Sequence, residues 1–456
     1  MLVAAAALPW TWACISAALA LALAAAWLGM GQSRGSDHYR RGARVLSGRM
    51  ARRALARRPA SELELAGVPI APAEETRHFK LIGMTGTGKS TAIAALLGAA
   101  LRRGDRAVIA DPDGNYVARF YAPRRGDVLL NPFDARSVRW NPLAELQAAW
   151  DVEQLAASLI PLGEDSAGRE WRGYGRTLLS ALLRRCWERG DADARELWRL
   201  LAVAPPAELR ELVAGTPAQP FLEADNARMF SSIRAVAVSA AAAFEHVQAQ
   251  RARPFCVRGW VQGGAGALFL PYGAAQIAAL RSVIAAWVRL AIFETMMHPG
   301  EQRRLWLVVD ELDALGPIEG LKDALARLRK FAGVCLLGFQ SIAQVSATYG
   351  SAEAQTIVEN CGNTLILRCA GSENGGTSQF AARLIGEREV IRRQVARSSD
   401  RGGALNGSTR RSRSVSRQQL LEPAVLPAEL EQLPDLTGYV KTAGAPHWLR
   451  VAFRAR

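Results

Sequence analysis

LIGMTGTGKSTAI, residues 81–93, fills the pattern G-x-x-x-x-G-K-[ST] with Gly83, Gly88, Lys89 and Ser90. Glycines let a loop wrap anionic oxygens without Cβ clashes, and the first turn of a following helix aims free N–H groups and a positive dipole end at them. The cradle comprises Gly83, Thr85, Gly86, Thr87, Gly88, Lys89, Ser90 and Thr91. In this pattern Lys89 reaches the β- and γ-phosphates of ATP and the Ser90 hydroxyl ligates Mg²⁺. Residues 79–83 read as a short strand before the loop, and Ile93, Leu96, Leu97, Ala100 and Leu101 share one helical face after it. A glycine turn without a ligand is the competing reading; it gives no reason for a strand and a helix on either side.

Outward from the loop, strands and helices alternate. AVIAD (107–111) and DVLLNP (127–132) read as strands, as do FCVRGW (255–260) and ALFLPY (267–272). A long helix over 276–297 follows, then strands at 305–312, 334–341 and 364–370 with helices between them. Such alternation predicts an α/β fold with a parallel-sheet core. Between 151 and 250 the period is helical throughout, as in GRTLLSALLRRCWERG, which predicts an all-α insertion domain. The nucleotide-binding domain is then 63–150 joined to 251–456. The serine- and arginine-rich stretch 396–418 shows no periodicity and reads as a mobile loop.

The apolar run Leu305 to Val309 ends in Asp310-Glu311, as expected where a buried parallel strand opens on a ligand crevice. Asp310 is a candidate to hold Mg²⁺ through water, and Glu311 to orient or deprotonate the attacking water. Gln340 closes the next apolar strand, where it either senses the γ-phosphate or satisfies loop backbone. Arg329 ends the helix between these strands. It reads either as a finger for a neighbouring subunit's γ-phosphate or as a cation drawn to a helix C-terminus.

Of 456 residues, 57 are Lys or Arg and 42 are Asp or Glu, a formal charge of +15 that favours polyanionic partners. Six cysteines, at 14, 186, 256, 335, 361 and 369, form no C-x-x-C pair, which excludes a zinc ribbon and a disulfide framework. They read as small buried apolar residues of a reducing compartment. The first thirty residues carry no charged side chain, whereas nine arginines and one acid lie between Arg34 and Arg58. The apolar run from Trp12 to Met30 would extend about 28 Å as a helix, the reach of a transmembrane anchor over 1–30. The arginines then orient the C-terminal body to the cytoplasm. A cleaved signal peptide and a buried core helix are the alternatives. Residues 31–62 read as a basic, mostly helical juxtamembrane linker, either against lipid headgroups or merely solvated.

In their order and spacing, the phosphate loop, IADPDGNY, the helical insertion, VVDELDALGPIEGL, RKFAGVCLLGFQS and GNTLILRCAGSENGGTSQFAARLIGEREV resemble the type IV coupling proteins of the TraD/TrwB class, over about residues 40–395. The resemblance implies a RecA/FtsK-like P-loop ATPase fold interrupted by an all-α domain and assembled as a homo-hexamer around a channel. It implies a DNA-translocating ATPase at the bacterial inner membrane that hands a relaxase–DNA complex to a type IV secretion channel during conjugation. It assigns phosphate and Mg²⁺ binding to Lys89 and Ser90, metal and water roles to Asp310 and Glu311, the sensor to Gln340 and the finger in trans to Arg329. One visible span, where many relatives have two, and the lack of a long acidic tail are expected departures.

The alternative in another class is a secretion ATPase that energises protein export without DNA, which requires neither the basic charge nor the insertion. A non-catalytic adaptor has no use for Glu311 and Gln340. A chromosome translocase of the FtsK kind is disfavoured by the single span.

Overall fold

The computed structural model describes residues 38–162, 166–190, 193–297, 304–373, 375–401 and 409–454, with side chains left out at 166–167, 394–401 and 409–413. The chain divides into two compact units, one of residues up to Arg44 with Gly386–Ala424, the other of Val45–Ile385 with Val425–Arg456.

The larger unit is built on a ten-stranded sheet. Its central strands run in the order Asn363–Ile366, Phe79–Ile82, Gly333–Phe339, Leu305–Val309, Arg106–Pro112, Ala267–Tyr272 and Val128–Leu129, all parallel. Their residues are almost wholly buried, which explains why they read as continuous apolar runs rather than alternating ones. Beyond Asn363–Ile366 the sheet turns antiparallel through Thr437–Lys441 and Trp448–Ala452, and Val45–Leu46 closes the edge. The strand after the phosphate loop's helix is therefore not the loop strand's neighbour: two strands, Gly333–Phe339 and Leu305–Val309, are inserted between them. This order sets the Asp-Glu strand one place away from the loop strand, with the glutamine strand between.

Residues 149–249 contain helices and no strand among the described residues, the longest being Ser166–Arg189. Leu178, Leu179, Leu182 and Leu183 of that helix are buried, as its period predicts. Arg258 fastens this region to the long helix Ile277–Met297 by ion pairs to Asp151 at 2.7 Å and Glu294 at 2.9 Å.

Three expectations need correction. FCVRGW is not a strand: Pro254–Phe255 is, and Val257–Gly263 is a helix whose first turn is capped by Cys256 Sγ accepting from Gly259 N–H. Cys256 is accordingly half-buried, while Cys186, Cys335, Cys361 and Cys369 are buried as expected. Within 31–62, only Gly48–Ala56 forms an α-helix. His38–Gly42 and Val45–Leu46 are strands, and residues 31–37 lie outside the described residues. The stretch 396–418 is no loop either. Glu387–Arg401 and Thr409–Pro423 form a long antiparallel ribbon, with His38–Gly42 as third strand. This ribbon belongs to the smaller unit, so residues 251–456 are not one domain. The transmembrane expectation over 1–30 lies outside the described residues, and among the described ones no single helix is long and apolar enough to cross a membrane.

His78 precedes the loop strand and ties three elements together. Its Nε2 lies 2.8 Å from Leu325 O, and its Nδ1 accepts from Cys335 N–H at 3.1 Å. That geometry fits the neutral ring, and burial pushes its pKa down to about 4, aided by the positive charge of Arg329. The unfolded chain therefore binds the extra proton first, and stability should fall as pH drops from about 6.5 towards 4. Chemical denaturation at pH 7 and 5 measures this. His78→Gln, which keeps one donor and one acceptor, should flatten the acid-side slope by up to one proton.

Candidate nucleotide site

The loop leaves the carboxyl end of Phe79–Ile82 and enters the helix Lys89–Arg103. Gly86 and Gly88 adopt φ of +80° and +109°, where a side chain is strained. A Cβ on Gly88 would also come within 2.6 Å of Leu436 Cδ2, because Leu436 packs under the loop and donates its N–H to Thr87 O at 2.9 Å. Gly88→Ala should therefore distort the cradle, lowering ATP affinity at least tenfold while costing about 1–3 kcal/mol of backbone strain. Nucleotide titration and thermal melting check both effects.

Lys89 is buried, its Nζ 3.1 Å from the main-chain oxygen of Asp310 and 3.4 Å from Asp310 Oδ1. Ser90 Oγ donates to Asp310 Oδ2 at 2.7 Å, so the loop's lysine and serine both meet the carboxylate that ends Leu305–Val309. Glycine at 338 makes room for this approach: a Cβ there would fall 2.4 Å from Asp310 O. Asp310 Oδ1 is buried and has no hydrogen-bond partner. A hydroxyl and an under-partnered carboxylate are hard oxygen donors, and they fit Mg²⁺ shared with phosphates. No cluster of three His, Cys, Asp or Glu that could hold a metal on its own exists among the described residues.

Glu311 and Gln340 stand side by side, Gln340 Nε2 donating to Glu311 Oε1 at 3.1 Å. Thr85 Oγ1 in turn donates to Gln340 Oε1 at 2.9 Å. The structure thus strings the loop, the glutamine and the glutamate into one hydrogen-bonded line at the carboxyl edge of the sheet. Gly83 and Thr87 lie buried within the loop, and Thr87 Oγ1 donates to Met84 O at 2.7 Å. Thr91 is half-buried in the first turn of the helix.

Arg329 is not part of this cluster. It is exposed in the turn Leu328–Phe331, before the strand whose far end carries Gln340. Seven strand residues separate those ends, roughly 20 Å. Within its own chain Arg329 therefore faces the opposite edge of the sheet from Lys89. It holds no hydrogen bond or ion pair there.

Two groups escaped the sequence reading. Asp111 ends Arg106–Pro112 fully buried and accepts from Tyr116 N–H at 3.0 Å and Val117 N–H at 2.7 Å. This clamps the helix Asn115–Phe120 so that the Tyr116 hydroxyl donates to Asp310 Oδ2 at 2.7 Å. Burial, with the nearby charge of Asp310, lifts the Asp111 carboxyl to about 6. The same two influences hold Tyr116 neutral far above its ordinary range. The signal was the acid closing a buried strand in IADPDGNY, the same signal that marks Asp310.

The family model of the type IV secretion-system coupling protein DNA-binding domain matches residues 62–454. The coupling protein TraD of Escherichia coli (strain K12) is 31% identical over 398 residues, which are 84% of this chain and 53% of TraD. The chain thus spans about half the length of that curated relative. Among solved structures, unbound TrwB lacking its first residues, a bacterial conjugative coupling protein, superposes with a TM-score of 0.79 at 32% identity, covering 93% of this chain and 96% of that one. Plasmid coupling protein TrwB in complex with ADP and Mg²⁺ gives 0.80 at 31%, covering 92% and 95%. The sheet order, the phosphate loop meeting Asp310, and these matches agree: the chain has an α/β P-loop ATPase fold and belongs to the type IV secretion-system coupling protein family.

Proposed function

We propose that this chain is an ATP-driven DNA motor that couples a relaxase–DNA complex to a type IV secretion channel at the inner membrane. The observation that carries it is the convergence of Lys89, Ser90, Asp310, Glu311 and Gln340 on one sheet edge in a chain of this family. Lys89 binds the β- and γ-phosphates, with the N–H groups of the Lys89–Arg103 helix start around it. Ser90 and Asp310 hold Mg²⁺, which when bound neutralises phosphate charge. Tyr116, itself fixed by Asp111, keeps the Asp310 carboxylate in its rotamer. Glu311 accepts the proton of the attacking water, and Gln340 bridges Glu311 to the loop through Thr85. Tyr272 closes the adjacent strand beside these acids with its hydroxyl buried.

The N-terminal apolar run serves as a single membrane anchor with the body in the cytoplasm, and the working form is a hexamer. Since Arg329 stands on the edge opposite its own loop, its catalytic place is a neighbour's γ-phosphate. Arg329→Ala should bind ATP nearly normally yet hydrolyse it about 10³–10⁵-fold more slowly. Lys89→Ala subunits, which keep Arg329, should restore part of the activity when co-assembled with Arg329→Ala subunits. No recovery in verified mixed rings overturns the trans role.

DNA distinguishes this reading from protein export. Binding by the full chain should be largely insensitive to sequence and weaken steeply with salt, because the +15 charge comes with no base-reading motif. A salt-independent affinity, or a strong preference for one sequence, contradicts it.

A further inference from the structure

The ribbon of the smaller unit is sharply two-sided. Its register sets Arg393 opposite Arg417, Val395 opposite Val415, Arg397 opposite Arg413, Ser399 opposite Arg411 and Arg401 opposite Thr409. Side chains alternate between faces along a strand, so these ten positions share one face. The other face carries Gln394 opposite Ser416, Ala396 opposite Ser414, Ser398 opposite Ser412 and Asp400 opposite Arg410. One face therefore collects Arg393, Arg397, Arg401, Arg411, Arg413 and Arg417 with no acid, while the other is small and polar.

The base of the ribbon is different. There Glu389 pairs with Arg40 and Arg41, and Glu422 pairs with Arg388 and Arg392. Charge is balanced where the ribbon meets His38–Gly42 and left unbalanced beyond it. Like charges directly opposite each other on a ladder, about 5 Å apart, are destabilising. Here two such pairs recur four residues apart, roughly 13 Å along the strand. Repetition of an unfavourable pairing on a single face is the pattern of a surface completed by an anion.

We propose that this arginine face is a phosphate-backbone contact for DNA, separate from the nucleotide site. The proposal rests on the DNA-motor reading and gives it an address. Every cation on the face is arginine, whose planar fork engages phosphate oxygens in pairs. A two-stranded ribbon also has the width that the major groove admits. A lipid surface is the other polyanion, but interfacial elements add bulky apolar or aromatic residues that insert between headgroups. This face offers one valine pair, Val395 and Val415, and no aromatic side chain.

The test uses the full chain in nanodiscs of neutral phosphatidylcholine, with DNA affinity measured from 50 to 300 mM salt. The variant Arg393→Ser/Arg397→Ser/Arg413→Ser/Arg417→Ser should bind more than tenfold more weakly at 100 mM salt. Its slope of log affinity against log salt should shrink by about 3 to 4, since each lost contact removes about 0.9. The corresponding four-lysine variant keeps charge and strand and should recover most of the slope, which separates lost contacts from a lost fold. Wild-type affinity and slope in the serine variant would overturn the proposal while leaving the motor reading intact. No DNA binding by the wild type would overturn both. A serine variant that keeps its DNA slope but loses retention on phosphatidylglycerol vesicles would assign the face to lipid and overturn the proposal.

Discussion

Lys89→Ala should hydrolyse no measurable ATP, lose ATP affinity by roughly a hundredfold or more, and abolish DNA transfer. Two charge-assisted contacts to phosphate disappear, each worth about 1.5–3 kcal/mol. A second effect arises without nucleotide. Lys89 and Asp310 are 5% and 4% exposed and lie 3.4 Å apart, so alanine leaves the Asp310 carboxylate without its cation. Removing one partner of a buried pair costs about 3–5 kcal/mol, which here is reduced by the Ser90 and Tyr116 hydroxyls that still donate to Asp310 Oδ2. Thermal melting without ATP should therefore show a loss, with isothermal titration and phosphate release reporting the other two.

Glu311→Gln should behave in the opposite way on binding and alike on turnover. Glutamine keeps the length of the side chain and an oxygen that accepts from Gln340, so the line from Thr85 through Gln340 survives. What is lost is the base, and hydrolysis should drop by about 10²–10⁴ with ATP affinity near wild type. Filter binding and single-turnover hydrolysis give the two numbers. Equal losses of ATP affinity in Lys89→Ala and Glu311→Gln would contradict the division of labour between them.

The parts of this site that were legible in the sequence are those written as local patterns. The phosphate loop is one continuous motif, and Asp310-Glu311 and Gln340 each close an unbroken apolar run, because a strand buried on both faces leaves no room for polar residues until its end. Tyr116 was not legible, since its meeting with Asp310 depends on two strands, Arg106–Pro112 and Leu305–Val309, becoming neighbours across nearly two hundred residues. The ribbon was missed for another reason. Its face alternates arginine against serine and glutamine rather than apolar against polar, so a search for hydrophobic period 2 sees nothing. FCVRGW misled by β-branched and aromatic content, where the Cys256 cap and the Glu145 carboxylate, accepting from Val257 and Arg258 N–H, start a helix instead. The edge on which Arg329 stands could be inferred only once the strand order was known.

The central claim is that ATP turnover at this site serves movement along DNA. The direct measurement is steady-state ATP hydrolysis by the full chain in nanodiscs, at saturating ATP and Mg²⁺, with and without DNA of arbitrary sequence. Turnover several-fold faster with DNA, lost in both Lys89→Ala and Arg329→Ala, is the predicted result. Hydrolysis at the same rate with and without DNA, at salt low enough for DNA to be bound, would contradict it.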